Sequence, residues 1–378
     1  MRIALNAQKL SFAQQYHAGG ISRYIYHLLA ELPGVSPAHR YRAFVSQAPV
    51  DTALAHHALR FSPSPFPTES PLLRILWEQL VLPAQLLDGV DLFHGLAYAL
   101  SLAWPKRSVV TIFDLSFLRH PEHLNRPNRL YLTFSTRLST RRAARIFTIS
   151  QHARAEAVEL LGVPPDRVVT TYCGVDQRFR PIATSELRAF RSAKQLPERF
   201  VLYLGTLEPR KNVATLVKAY ARMRQAWPEA PLLVLAGGQG WKYQPILDAI
   251  RASGLAEQVR LVGYVPADEL ALWYNAAGLF VYPSLYEGFG LPPLEAMACG
   301  TAVVASRAAS LPEVVGEAGL LVNPLDEQAL AEAMRQALQD DGLRHRMSEA
   351  GLEQSRQFSW QRMARETVAV YDELADGA

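Results

Sequence analysis

Cysteine is nearly absent: Cys173 and Cys299 are the only two in 378 residues. No disulfide framework is expected, and no Cys/His group has the spacing of zinc ligands. No apolar run of about 20 residues exists, so no membrane-spanning helix is expected. The opening Met1-Arg-Ile-Ala-Leu-Asn6 turns polar at once, without the apolar core of a secretory leader. With so few cysteines, the chain reads as cytoplasmic. Internal repeats and low-complexity stretches are missing too, which counts against a solenoid. Neither Leu5-Asn-Ala-Gln nor Leu204-Gly-Thr-Leu supplies the Gly-x-Gly-x-x-Gly that a dinucleotide-binding strand-turn-helix needs.

What is present is an ordinary globular composition, 49% hydrophobic and 20% charged, at a length that suits two domains. The net charge of +4 is unevenly spread. Through Arg180 there are 20 Lys/Arg against 12 Asp/Glu, and beyond it 19 against 23. Such a split suits a first half that meets phosphate-bearing or membrane-surface ligands, or it is drift in surface charge.

Strand-like apolar runs alternate with helical patterns. Arg2 to Ala7, Tyr41–Val45, Asp91–Phe93, Ser108–Ile112, Arg145–Ile149 and Val168–Thr171 read as strands, with helices over Ile21–Leu32 and Ser150–Leu161. The pattern turns polar between Asp176 and Arg199, then restarts at Phe200–Leu204. The spacing predicts strands at Leu232–Ala236, Val259–Val262, Leu279–Tyr282 and Ala302–Ala305. It predicts helices at Asn212–Trp227, Ile246–Ala252, Asp268–Ala276, Pro292–Cys299, Asp326–Leu338 and Trp360–Leu374. Two doubly wound α/β units follow from this alternation, with ligands at the carboxyl edges of parallel sheets.

The most informative stretch runs from Ser284 through Glu287-Gly-Phe-Gly-Leu-Pro-Pro-Leu-Glu295 to Gly300. It leaves a strand and opens a helix. Pro292 suits a first helical turn, and Gly288 and Gly290 let backbone come close to a ligand. Free N–H groups and the helix dipole make an anion site there, suited to a diphosphate. Glu287 and Glu295 flank it, and a carboxylate accepts hydroxyl hydrogen bonds from a sugar or a ribose.

This stretch resembles the Glu-x7-Glu motif of retaining glycosyltransferases with the GT-B fold, glycosyltransferase family 4 (glycosyl transferases group 1), in a mannosyltransferase-like form. The likeness extends to Gly205-Thr-Leu-Glu-Pro-Arg210-Lys211-Asn, Ala236-Gly-Gly-Gln-Gly-Trp241, Gly263-Tyr-Val-Pro266, Gly174-Val-Asp176 and Gly19-Gly20-Ile-Ser-Arg23-Tyr24. It implies an α/β protein of two Rossmann-like domains facing a deep interdomain cleft. Residues 1–180 would bind acceptor and 181–358 nucleotide-sugar, with 359–378 a helix packing back on the first domain. Arg210 and Lys211 would neutralise the leaving diphosphate, with Gly205 beside them. Glu287 would bind the donor sugar near the N–H groups of Phe289, Gly290 and Leu291. Glu295 would hold the ribose, and Tyr264 and Val265 would meet the base. Gly19 and Gly20 would let first-domain backbone approach the phosphates or the acceptor.

The sequence departs from the family at Phe113, where relatives often carry His before Asp114; Thr206 and Cys173 replace a frequent Arg and Asn. Asp114 either orients a hydroxyl or caps a turn, and His94 either lines a ligand site or is structural. The segment from Arg119 to Arg145 carries seven arginines against Glu122. It reads as a peripheral membrane contact at the inner face of the cell membrane, or as a solvated basic face.

The resemblance thus implies a metal-independent retaining hexosyltransferase. Its partners would be a nucleotide-sugar, such as GDP-mannose, and a glycan or lipid-linked acceptor in polysaccharide or cell-envelope assembly; no nucleic acid is expected. A catalytically inactive nucleotide-sugar binder and an NAD-dependent oxidoreductase stand as the alternatives.

Overall fold

The computed structural model describes residues 1–11, 19–47, 54–121, 126–240 and 242–376. The chain divides into two compact units, Met1–Gly174 with Ser359–Ala378, and Val175–Phe358. Each is a parallel sheet covered by helices.

In the first unit the strands are β1 (Arg2–Asn6), β2 (Arg40–Val45), β3 (Leu59–Pro63), β4 (Leu92–Gly95), β5 (Ser108–Ile112), β6 (Arg145–Thr148) and β7 (Val168–Thr170). They lie in the order β3-β2-β1-β4-β5-β6-β7. Every pairing is parallel, with Ile3 opposite both Tyr41 and Leu92. The apolar run of β5 is buried along its whole length, as expected of a strand covered on both faces. β3 is not legible in the sequence. It is an edge strand ending in Pro63, and its Arg60 and Ser62 break the apolar run.

The helix Trp360–Asp376 completes this unit. Its Trp360 ring stacks on His27 at 4.4 Å. Its Tyr371 hydroxyl reaches His94 Nδ1 at 2.5 Å, inside the sheet's own core. The other imidazole nitrogen lies 2.8 Å from the Thr111 hydroxyl. Burial pushes the His94 imidazole down to about 3, so it is neutral. Of the two readings of His94, the structure selects the structural one.

The second unit carries β8 (Phe200–Leu204), β9 (Leu232–Ala236), β10 (Val259–Gly263), β11 (Leu279–Tyr282), β12 (Val303–Ser306) and β13 (Leu320–Val322), ordered β10-β9-β8-β11-β12-β13. The polar stretch before β8 contains the helix Thr184–Ala193, which buries Leu187 and Phe190. In each sheet the strand order reverses once, between β1 and β4 in the first and between β8 and β11 in the second. Loops leaving the carboxyl ends of the two strands at such a reversal diverge and leave a crevice.

Close backbone approach shapes that crevice in the second unit. Gly205 N–H donates to Ala236 O, and Gly237 N–H to Gly263 O. Gly237 has φ +143°, and a Cβ on it would stand 2.0 Å from Gly205 O. Gly237→Ala therefore combines left-region strain with a backbone clash, and should cost about 3 kcal/mol. We expect the melting of the second unit to fall by roughly 6–12 °C in a calorimetric scan; an unchanged transition would show that the loops are not in contact.

Candidate functional site

The residues singled out in the second half converge at the β8/β11 reversal. β8 runs into Gly205 and a short turn, Pro209–Lys211, that presents Arg210 and Lys211. β11 ends at Tyr282 and leads through Ser284 to Glu287. The two loops are tied by backbone, since Leu285 N–H donates to Arg210 O at 2.9 Å.

Glu287 is the centre of the site. Its Oε1 accepts from Lys211 Nζ at 2.6 Å, Ser284 Oγ at 2.6 Å and the Tyr282 hydroxyl at 2.9 Å. Among the described residues, these donors all meet one carboxylate oxygen. Lys211 Nζ also sits 2.8 Å from the Tyr282 hydroxyl. Both charged side chains are buried. Burial alone would raise the Glu287 carboxyl; Lys211 and Arg210 beside it, with hydrogen bonds from Lys211 and Ser284, hold it down to about 2. Burial lowers the Lys211 ammonium, and its pairing with Glu287 offsets this in part. Arg210 fixes its own guanidinium on Glu208 Oε1 at 3.1 Å.

The turn after Glu287 is held from behind by Ser310, whose Oγ lies 2.9 Å from Glu287 O and 2.6 Å from Phe289 O. Gly290, with φ +119°, then opens the helix Leu291–Ala298. A residue with a Cβ would be strained there and would press on Leu311. Pro292 and Pro293 have no N–H to offer. Among the described residues, the N–H groups of Gly290 and Leu291 donate no backbone hydrogen bond. That leaves two donors at the positive end of a helix dipole. One turn further on, Glu295 is buried, with Oε2 accepting from the Tyr274 hydroxyl at 2.9 Å. At the β10 edge Val265 is buried while Tyr264 is 40% exposed.

Gly19, Gly20 and Asp114 belong to the first unit. Gly19 precedes the helix Gly20–Val35, and both glycines are exposed. Asp114 Oδ1 accepts from Ser116 N–H at 2.9 Å, the bond of a turn cap. Phe113 is buried with its ring edge-on to Tyr24, 5.0 Å between centroids, and offers no hydrogen bond. Trp241 and Glu122 lie outside the described residues. Cys173 and Cys299 are both buried and free. Among the described residues, no three His, Cys, Asp or Glu side chains gather as metal ligands would.

Tyr282, Tyr274, Ser310 and Glu208 are the residues that sequence reasoning passed over. Tyr282 and Tyr274 read as strand and helix core, and the pairing of Lys211 with Glu287 leaves no local signature at a separation of 76 positions.

The profile described as Glycosyl transferases group 1 matches residues 185–354, and that described as Glycosyltransferase Family 4 matches residues 18–179. O-antigen chain mannosyltransferase B of Escherichia coli is 38% identical over 267 residues, 70% of this chain and 70% of that protein. Serotype-specific mannosyltransferase WbdA of Escherichia coli is 35% identical over 74% of this chain, which spans 36% of that longer protein. The structure of sucrose-phosphate synthase from Thermosynechococcus elongatus superposes over the full length of both chains with a TM-score of 0.81 at 25% identity. That of Anabaena HepE in complex with UDP and glucose shares the fold, with a TM-score of 0.75 at 20% identity, over 98% of this chain and 99% of that one.

The ion pair carries a pH signature. Glu287 titrates at about 2 in the folded chain against an ordinary 4.5. On acidification the unfolded state therefore binds its proton first. The stability the pair contributes is full above pH about 4.5 and is lost as pH falls from there towards about 2. The melting temperature of the wild type should fall more steeply across this window than that of Glu287→Gln. Parallel slopes would mean the carboxylate is not paired.

Proposed function

This chain is a glycosyltransferase of family 4, and from that premise we propose that it moves a hexose, mannose from GDP-mannose, onto a glycan or lipid-linked acceptor in polysaccharide assembly. The observation that carries the reading is the buried Lys211–Glu287 pair beside the N–H groups of Gly290 and Leu291 at the start of a helix. Mannose is supported by the likeness to the O-antigen chain and serotype-specific mannosyltransferases of Escherichia coli.

In this reading the donor diphosphate lies at the start of the helix Leu291–Ala298, within reach of Arg210 and Lys211. Cleavage of the C1–O bond puts negative charge on the departing diphosphate, and preorganised cations and N–H groups stabilise that charge as it develops. Glu287 accepts hydrogen bonds from the donor sugar's hydroxyls and holds the ring. Because Lys211 and Tyr282 already restrain this carboxylate, it is positioned before substrate arrives. Glu295 receives the ribose hydroxyls, and the backbone at Tyr264 and Val265 meets the base. Transfer proceeds on one face with retention: the acceptor oxygen bonds to C1 as the leaving oxygen departs, and the acceptor proton passes to the leaving phosphate. Arg210 and Lys211 supply the positive charge that a divalent cation provides in other transferases, so the reaction is metal-independent. Asp114 orients an acceptor hydroxyl.

Glu287→Ala and Lys211→Ala should each lower kcat/KM at least a hundredfold, on the order of 3 kcal/mol in transition-state stabilisation, in a donor panel of GDP-, UDP- and dTDP-sugars. Wild-type turnover should persist in EDTA. Near-normal rates in either variant, or abolition by EDTA, would overturn the assignment.

We further infer that the helix Arg126–Arg142 rests on an anionic membrane surface. Leu130 and Phe134 are exposed one turn apart, and Arg126, Arg137 and Arg141 are exposed on the same helix. Leu132 and Leu138 on this helix are half-buried. No described helix is long and apolar enough to cross a membrane. Replacing Leu130 and Phe134 with Glu should lower co-sedimentation with phosphatidylglycerol vesicles at least tenfold; equal binding by the variant would exclude this face.

A further inference from the structure

The reversal in the second sheet holds the carboxylate and cations of the transfer site, and the same topological position exists in the first sheet, between β1 and β4. Three buried polar side chains gather beside it. Asn6 closes β1, Gln8 follows two residues later, and Glu78 arrives from the segment Pro71–Leu86. Asn6 Nδ2 donates to Glu78 Oε1 at 3.0 Å, and the Thr68 hydroxyl donates to Gln8 Oε1.

Two features are hard to explain as packing alone. Gln8 is only 5% exposed, yet its Nε2 has no hydrogen-bond partner among the described residues. An unpaired buried amide donor destabilises the fold. Glu78 is equally buried, and it stands on a π-helical turn, Trp77–Val81, between the helices Pro71–Leu76 and Leu82–Leu86. Single π turns are uncommon and concentrate at functional sites. Burial pushes the Glu78 carboxyl up, while Asn6, Arg74, Lys9 and Tyr131 pull it down. A buried carboxyl beside an amide donor presents complementary hydrogen-bonding groups suited to a hydroxyl-bearing ligand.

We propose that Asn6, Gln8 and Glu78 form a second carbohydrate site, where the acceptor's terminal sugar donates hydroxyl hydrogen bonds to Glu78 and accepts one from Gln8 Nε2. The assignment of this sugar as the acceptor rests on the transferase reading above. A carboxylate accepts from two neighbouring hydroxyls, and a primary amide donates to a third oxygen.

The test titrates the full-length protein with methyl α-mannoside, methyl α-glucoside, methyl α-galactoside and methyl α-rhamnoside by saturation-transfer NMR. Binding of GDP, UDP and dTDP is measured on the same samples. The variants are Glu78→Gln, which keeps shape and removes charge, and Gln8→Met, which removes the amide; thermal melts confirm that each is folded. At least one glycoside should bind the wild type and bind both variants at least tenfold more weakly, with nucleotide affinity within twofold. Should Glu78→Gln fail to fold, Gln8→Met carries the test alone. Unchanged glycoside binding in the folded variants, or no glycoside binding to a wild type that binds nucleotide, overturns this site and leaves the transferase reading standing. A wild type that binds no nucleotide removes that reading instead.

Discussion

The arrangement of the second unit hangs on one buried ion pair. Lys211 leaves β8, Glu287 leaves β11, and the two meet at 2.6 Å where the strand order reverses. Breaking such a pair leaves an uncompensated charge in a poorly solvated place, which costs about 3–5 kcal/mol. The pair therefore holds two diverging loops at fixed separation. It also keeps the carboxylate ionised and aligned, with Ser284 and Tyr282 saturating one oxygen. Structural cost and chemical readiness come from the same contacts, as expected where a polar group is buried for a task.

The scaffolding around the pair is plain packing. Buried parallel strands fix where their carboxyl ends lie, and short connections fix where the next side chains point. Ser310 holds the Glu287–Phe289 backbone, and the Gly205–Gly237 contact sets the neighbouring loop. The first unit repeats the scheme with different chemistry. Its reversal point carries Asn6, Gln8 and Glu78, and there an amide, not an ammonium, donates to the carboxylate at 3.0 Å.

Much of this was legible in the sequence because its causes are local. The buried strands announce themselves as β-branched runs, and the Glu287–Glu295 spacing with its two glycines marks a strand-turn-helix with an anion site. What escaped depends on separation in the chain. β3 fell below notice because an edge strand tolerates Arg60, Ser62 and Pro63, which a central strand would reject. Tyr282 and Tyr274 carry apolar rings in regular elements, and their hydroxyls matter only through partners brought close by folding. Glu78 drew no attention, since a π turn has no sequence period of its own. His94 showed the converse: a polar residue at a strand end proved to be bonded within the core.

The role of Tyr371 in the first core has a consequence for biosynthesis. Its hydroxyl is the partner of a fully buried imidazole in a sheet whose strands all lie before residue 175. During translation those strands are made first, and the ribosome then spends roughly ten to forty seconds on the second unit. Through that interval His94 faces a gap that the helix Trp360–Asp376 has yet to fill. The unit whose strands are made before those of the other is thus sealed only after them, and the nascent chain carries an open groove on it until the turns of this helix emerge.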